Sequence, residues 1–260
     1  MTKVLKDFRY IAWIFALIFF VSAIVPAGHL ASFKNFDKLL HFTGFFFLMV
    51  FFMKGYEKNW LKMLIVTLAI GFFVEIVQAF IPYRTFSMED FLADAVGAIT
   101  GYLAFRFTGD LTIDFVGTFG FIGKIPVGPG TIASFVFVLL IYYLKLSESF
   151  VGLFLISATI VGVWVSSYLE DKWGDDPKSV VIDEVVGVGT AIIFHKFTLP
   201  VLLTGFVFFR FFDIVKPWPI KYFENLPSGL GIMADDIVAG LLANILLTFL
   251  LSGLINISGI

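Results

Sequence analysis

The stretch FVGLFLISATIVGVWVSSYL, residues 150–169, contains no charged side chain. A helix rises about 1.5 Å per residue, so a run of this length spans the ~30 Å hydrocarbon core of a bilayer. Other apolar runs flank it at 10–26, 39–53, 61–81, 91–106, 132–145, 184–196, 199–213 and 236–253. Backbone amides in hydrocarbon must be satisfied within their own segment, and no alternating barrel pattern occurs. The sequence therefore predicts an all-α integral membrane protein, a polytopic helical bundle with about nine membrane helices in two modules of four and about five.

The composition agrees with this class and excludes several others. The 260 residues are 59% hydrophobic and 15% charged, against about 45–50% apolar and about 25% charged in soluble domains. A net charge of −2 offers no basic surface for nucleic acid, and the lack of cysteine excludes disulfides and zinc-thiolate sites. The first apolar run ends at Pro26-Ala27-Gly28, as a signal peptide can, but the later runs favour a retained anchor.

Lysine and arginine positions predict the orientation and the division of the chain. Six of these residues precede the first run or follow the second, against three in the loops of the opposite side. Positive charge favours the cytoplasmic side, so the N-terminus is expected there, together with loops 107–131, 170–183 and 214–235. A break in the apolar rhythm near 107–117 predicts two modules, 1–107 and 108–260.

Acidic residues concentrate in the second module. Half of the 20 acids lie between residues 170 and 236. The pairs Asp183-Glu184 and Asp235-Asp236 stand next to apolar runs, and Asp213 ends another. One acid at a helix start gains about 0.3–1 kcal/mol from the helix dipole, but paired acids repel unless a cation neutralises them. The cluster predicts either a metal–phosphate site with Mg²⁺ or Mn²⁺, or a cation or proton pathway. The alternative function is therefore a membrane protein that transports cations or lipid and uses the acidic cluster as its pathway.

Two cations and a glycine-rich loop accompany these acids. Arg210 and Lys216 lie three residues before and after Asp213, which places the three on one face of a helix. The segment Gly128-Pro129-Gly130-Thr131 precedes an apolar run, and a helix N-terminus offers free amides to a phosphate. Phosphate is therefore a candidate ligand beside the acids.

Four blocks stand in order in the second module: Pro129-Gly130-Thr131, VIDEVVG at 181–187, FRFFDIVKPWPI at 209–220 and GLGIMADDIVAG at 229–240. Over residues 113–253 the chain resembles the phosphatidylglycerophosphatase A family. The resemblance implies an Mg²⁺-dependent phosphatase of phospholipid biosynthesis, which converts phosphatidylglycerophosphate to phosphatidylglycerol at the cytoplasmic face of a bacterial cytoplasmic membrane.

The resemblance also implies roles for particular residues. The catalytic and metal-binding carboxylates would be Asp183, Glu184, Asp213, Asp235 and Asp236. The substrate-binding residues would be Arg210, Lys216, Gly128, Gly130 and Thr131. Water activated by the metal is our hypothesis for the reaction, with an aspartyl-phosphate intermediate as the alternative. A binding module without turnover is a further alternative.

The first module contains DKLLHF at 37–42, EIVQ at 75–78, Arg84 and DFLADAVGAITG at 90–101. Over residues 8–107 it resembles the VanZ-like membrane domain. The polar residues of these blocks are Asp37, His41, Glu75, Gln78, Arg84, Asp90 and Asp94. They predict either a clamp between helices or a binding site for a lipid headgroup or glycopeptide-like ligand.

Helical spacing organises this polar cluster. Glu75 and Gln78 share one helix face, and Gly97 and Gly101 form a small-residue pair that lets helices approach closely. A glutamate at membrane depth needs a partner, and the candidates for Glu75 are Arg84, Lys38 and His41.

Overall fold

The computed structural model describes residues 8–24, 36–56, 59–82, 84–174 and 176–258, and every regular element in those ranges is helical. The helices are α1 (Phe8–Ile24), α2 (Phe36–Gly55), α3 (Trp60–Ala79), α4 (Met88–Thr108), α5 (Leu111–Gly117), α6 (Pro129–Tyr143), α7 (Glu148–Trp173), α8 (Ile182–Ile192), α9 (Leu199–Val215), α10 (Ile220–Phe223) and α11 (Gly229–Ser258). The cleavage-like Pro26-Ala27-Gly28 lies outside the described residues. The same holds for four of the lysines from which the orientation is predicted, Lys3, Lys6, Lys34 and Lys58.

Four helices are long and apolar enough to cross a membrane: Asp37–Gly55, Trp60–Ala79, Glu148–Trp173 and Gly229–Gly253. Phe8–Val21 and Pro129–Tyr143 are shorter apolar helices. The all-helical membrane architecture is thereby confirmed. The number of nine membrane helices stays a prediction, because α8 has only 11 residues and the first turn of α4 carries two acids.

The chain forms two compact units, Thr2–Ile113 and Asp114–Ile260. In the first unit α4 packs closely against α2. A Cβ atom added at Gly97 or Gly101 would overlap the backbone carbonyls of Phe42 and Phe46. The small-residue spacing read from the sequence therefore marks a close contact between two helices, as predicted.

In the second unit α8 is the buried element around which the other helices pack, with eight of its residues buried. A Cβ at Gly240 of α11 would overlap the carbonyl of Gly187 on α8, so the two backbones touch there. Further along, the Asn244 side-chain amide donates to the carbonyls of Thr190, Ala191 and Ile193 at 3.0, 3.2 and 2.8 Å. These bonds satisfy carbonyls at the end of α8 and fix its position against α11.

Helix α11 begins earlier than the apolar run indicates. It starts at Gly229 rather than at 236, and the Gly229 amide donates to the Ser167 hydroxyl at 3.1 Å. The uncharged residues from Leu230 to Ala234 continue the helix without interruption. Asp235 and Asp236 consequently lie within α11, one turn or more from its start, so the helix dipole does not explain them.

Candidate active site

A cavity of about 560 Å³ in the second unit collects the sequence-predicted residues of that unit. Its lining includes all ten of them: Gly128, Gly130, Thr131, Asp183, Glu184, Arg210, Asp213, Lys216, Asp235 and Asp236. They come from four helices and a helix end, namely α6, α8, α9 with its C-cap, and α11. Segments far apart in sequence thus meet at one place.

Three of the carboxylates form a cluster that fits a metal ion. One oxygen each from Asp183, Glu184 and Asp236 lies within 4.8 Å of the other two. Each residue also has a buried oxygen that accepts no hydrogen bond from the described part of the chain: Asp183 Oδ1, Glu184 Oε2 and Asp236 Oδ2. Burying a carboxylate oxygen without a donor is costly, and hard divalent cations prefer oxygen ligands. The donor set therefore suits Mg²⁺ or Mn²⁺.

Burial also changes the protonation of Asp183, which stands in the first turn of the short helix α8. Burial raises the pKa of Asp183 well above its ordinary value, and the negative charge of Glu184 raises this pKa further. A group in this state holds its proton unless a positive charge compensates the carboxylate. The acids are thus arranged so that a cation favours their ionised form.

Two basic side chains face the same cavity, each paired with an acid. Arg210 Nη1 lies 2.7 Å from Asp213 Oδ2. Lys216 Nζ donates to Asp235 Oδ2 at 2.7 Å and to Glu224 Oε1 at 3.2 Å. Burial by itself lowers the pKa of Lys216, but the hydrogen bonds to the two acids raise that pKa above its ordinary value overall. The ammonium group therefore stays charged at physiological pH.

Arg210 keeps a donor for a ligand. Its Nε is buried and makes no hydrogen bond within the described ranges. The expected helix face is present for Arg210 and Asp213 on α9, whereas Lys216 is the residue that caps the helix, in the left-handed region at φ +44°. The cap turns the chain, and Lys216 still lines the cavity.

The glycine-rich loop brings the start of α6 to the acids. Gly128 caps α6 at φ +56°, a conformation that favours glycine, and Pro129 is the first helical residue. A Cβ at Gly130 would overlap the Glu184 carboxylate, so only glycine permits this approach. The first amides of a helix have no intrahelical partner, and those of Gly130 and Thr131 can bind a phosphate oxygen.

Ser228 lines the cavity and was missed by the sequence reasoning. Its hydroxyl donates a hydrogen bond to the Glu170 carboxylate, which joins the end of α7 to the start of α11. The tripeptide Pro227-Ser228-Gly229 has neither charge nor metal-ligand character, and only its place before a helix could have indicated a site. Glu170, in contrast, belongs to the acid-rich segment that the sequence analysis identified.

The polar residues of the first unit also come together, near the start of α2, the end of α3 and the start of α4. His41 Nδ1 lies 2.9 Å from Asp94 Oδ1, and both residues are buried. Lys38 Nζ lies 3.3 Å from Asp90 Oδ1 and 3.0 Å from Glu89 Oε2. Of the other predicted members, Gln78 is buried, Asp37 is exposed beside Lys38 and Arg84 is half-buried.

The partner of Glu75 differs from the expectation. Its Oε2 accepts a hydrogen bond from the backbone amide of Ser87 at 2.8 Å, and not from Arg84, Lys38 or His41. Ser87 is the N-cap of α4, and its hydroxyl accepts from the Asp90 amide. The segment before α4 therefore supplies a neutral donor where the sequence suggested a cation.

Comparisons with known proteins place both parts of the chain. Residues 115–251 match the family model described as Phosphatidylglycerophosphatase A, and residues 3–109 match the model described as VanZ/LLP1. A Bacteroides thetaiotaomicron protein, provisionally named as a phosphatidylinositol-3-phosphatase, is 33% identical over 138 residues, which are 48% of this chain and 84% of the relative.

Two further relatives are named phosphatidylglycerophosphatase A. The protein from Escherichia coli K12 is 33% identical over 136 residues, 49% of this chain and 77% of the relative. The protein from Haemophilus influenzae is 46% identical over 70 residues, 26% of this chain and 43% of the relative. No solved structure matches the chain.

Proposed function

Because the chain belongs to the phosphatidylglycerophosphatase A family, we propose that this phosphomonoester hydrolase converts phosphatidylglycerophosphate to phosphatidylglycerol and phosphate, with bound Mg²⁺, at the cytoplasmic face of a bacterial cytoplasmic membrane. The observation that supports the proposal most directly is the cluster of Asp183, Glu184 and Asp236. Its three buried, unpartnered oxygens lie in the same cavity as Arg210 and Lys216.

The carboxylates divide by what they contact. Asp183, Glu184 and Asp236 are the residues that would hold the metal, which supplies positive charge to a phosphoryl oxygen when bound. Asp213 and Asp235 instead hold the two cationic side chains in position. This division explains why the site needs five acids where a metal alone needs fewer.

The substrate phosphate finds three sources of positive potential in the cavity. Arg210 offers its free Nε, Lys216 offers a fixed charge, and the start of α6 offers amides. These groups bind and orient the phosphoryl group and stabilise the charge on its oxygens during transfer.

In the hydrolysis, a water oxygen forms the new bond to phosphorus while the bond from phosphorus to the glycerol oxygen breaks. The water proton passes to a carboxylate, and the departing glycerol oxygen takes up a proton. Carboxylates outside the metal cluster also line the cavity, namely Glu170, Asp176, Asp213, Glu224 and Asp235. Of these, Asp213 and Asp235 stand in the sequence blocks at 209–220 and 229–240, so we propose one of them as the proton acceptor. The alternative, direct attack by a carboxylate, would leave a phosphorylated aspartate on the protein.

The surface beside the cavity suits a substrate held in a membrane. Ile214, Val215, Trp218 and Tyr222 are large apolar residues exposed on either side of Lys216. Such a border keeps the acyl chains of a phospholipid in an apolar environment while its phosphate enters the polar cavity. The cationic loops that contain Lys178 and Lys216 support a cytoplasmic location.

A phosphate-release assay on the purified full chain tests the proposal. Phosphatidylglycerophosphate in mixed micelles should release phosphate with Mg²⁺ present and not in EDTA. Asp236→Asn removes a proposed ligand while keeping the shape of the side chain, and we expect turnover to fall by at least about a hundredfold. Unchanged turnover in EDTA, or in Asp236→Asn, would contradict the metal assignment.

Asp114→Asn is the matched control for this substitution. Asp114 is a buried acid in the same unit, paired with Lys172 at 2.7 Å, but it does not line the cavity. Its variant should retain turnover per folded molecule.

Phosphatidylinositol-3-phosphate and soluble glycerol phosphate are the comparison substrates for the native chain. Faster phosphate release from either than from phosphatidylglycerophosphate would refute the assigned substrate.

Trapping experiments separate the two routes of hydrolysis. With phosphate-labelled substrate and rapid acid quench, attack by water leaves no label on the protein. A labelled acyl-phosphate on the chain would replace the water mechanism with the aspartyl-phosphate one.

A further inference from the structure

We propose that the first unit contains a second metal site, in which His41, Glu75 and Asp90 bind a divalent transition-metal ion. One ligand atom from each of these residues lies within 4.8 Å of the other two. The three residues come from α2, α3 and α4, so an ion bound there would join three helices. A mixed nitrogen–oxygen ligand set distinguishes this site from the all-oxygen cluster of the second unit.

The buried carboxylate of Glu75 is the main evidence for a bound cation. It is fully buried, and its Oε1 makes no hydrogen bond to any described residue. The other oxygen receives one bond, from the Ser87 amide. A buried carboxylate with a single neutral donor is energetically unfavourable unless a positive charge compensates it. A bound ion would provide that charge.

His41 has a carboxylate partner of the kind that metal-bound histidines commonly have. Its Nδ1 faces Asp94 Oδ1 at 2.9 Å, and Asp94 has no exposed surface. A carboxylate that accepts the Nδ1 proton leaves the lone pair of Nε2 free to bind a metal and makes that nitrogen more basic. Metal-bound histidines commonly have such a carboxylate behind them.

The charges around the cluster favour a cation over an anion as ligand. Glu75, Asp90 and Asp94 place three carboxylates around one histidine. Lys38 neutralises part of this charge, but it also pairs with Glu89, which is more exposed. An ion can reach the site from solvent, because the side chains of His41 and Asp90 are 10% and 14% exposed.

The ligand types narrow the choice of ion. Imidazole nitrogen suits Zn²⁺, Fe²⁺ and Cu²⁺, and carboxylate oxygen suits Mg²⁺ and Mn²⁺. One imidazole with two carboxylates combines these two preferences, and three protein ligands leave a coordination position open for water or a ligand. We therefore assign the class as a divalent transition metal and use Mn²⁺ and Zn²⁺ as probes.

Pulsed electron paramagnetic resonance of the full chain loaded with Mn²⁺ tests the site directly. The ligands proposed in the second unit are all carboxylates, so a ¹⁴N coupling from imidazole reports the first unit alone. We expect this coupling in the native chain, its loss in His41→Gln, and its retention in His195→Ala. His195, in the second unit, contacts Thr248 and does not line the cavity there, which makes it the matched control.

The spectrum of the native chain is sufficient to refute the proposal, so the test does not depend on whether each variant folds. Absence of ¹⁴N coupling in the native chain, or its loss in His195→Ala with retention in His41→Gln, refutes the site. Zn²⁺ content measured after dialysis should fall by one ion per chain in Glu75→Gln. Asp94→Asn should bind Zn²⁺ about 10–100-fold more weakly. Unaltered content and affinity in both variants would likewise refute it.

Discussion

Replacing Gly240 by alanine should separate α8 from α11 and thereby open the metal cluster. The added Cβ would overlap the Gly187 carbonyl oxygen and would lie 2.9 Å from Thr190 Cβ. Carbon atoms in good contact are about 3.5–4.0 Å apart, so α8 must move by at least about 0.6 Å. The Gly187 oxygen belongs to the backbone and Thr190 Cβ is bonded directly to the backbone, so neither atom can rotate out of the way.

The displacement should lower both the stability of the fold and the rate of phosphate release. Overpacking of this kind costs about 1–3 kcal/mol in the free energy of unfolding. Asp183 and Glu184 lie on α8 and Asp236 lies on α11, so the shift changes the distances within the cluster. A misplacement near 1 Å can lower a rate about a hundredfold, and we expect a loss of about tenfold to a hundredfold.

Gly253→Ala on the same helix is the control, because a Cβ there meets no atom within 4 Å. This variant should be as active as the native chain and up to about 1 kcal/mol more stable. Phosphate release at saturating Mg²⁺ and thermal unfolding in the same detergent give the two readouts. If Gly240→Ala and Gly253→Ala have the same rate and midpoint, the close approach of the helices does not position the site.

Three further outcomes follow from particular contacts. Asn244→Asp removes the donor to three carbonyls at the end of α8, so unfolding should become easier by about 1–3 kcal/mol; an unchanged thermal midpoint would argue against this role. In EDTA the folded chain retains the Asp183 proton, whereas the unfolded chain releases it above about pH 4. The free energy of unfolding should therefore fall as the pH rises from about 4 toward the raised pKa of Asp183, and Mg²⁺ should restore it. A stability that does not change with pH in EDTA would contradict this prediction. Gly130→Ala should raise the Mg²⁺ concentration for half-maximal rate by displacing the Glu184 carboxylate, whereas Gly152→Ala, whose nearest contact is an ordinary 3.9 Å, should leave it unchanged; equal Mg²⁺ requirements would refute the contact.

That the candidate active-site residues of the second unit would come together was predictable, because their chemistry is visible in the sequence. Charges are scarce in an apolar chain, so paired acids beside helices stand out. The glycines of the 128–131 loop and the Arg210–Asp213 spacing add phosphate-binding character. All of these residues line one cavity.

What the sequence did not predict depends on tertiary contacts. The early start of α11 follows from the bond between Gly229 and Ser167 on α7, residues distant along the chain. The partner of Glu75 is a backbone amide, which every residue except proline possesses and which composition cannot reveal. The role of Ser228 likewise rests on its meeting Glu170 across the fold.

The placement of Asp235 and Asp236 inside α11 has a consequence for depth. From Ile237 to Ser258 helix α11 is free of charge and measures about 33 Å at 1.5 Å per residue, close to the ~30 Å of the hydrocarbon core. On the proposed function, an apolar segment of this length would place the two acids at the height of lipid headgroups. The lipid would then not need to rise out of its leaflet to react, and the length of the segment would set the height of the phosphate bond that can be cleaved.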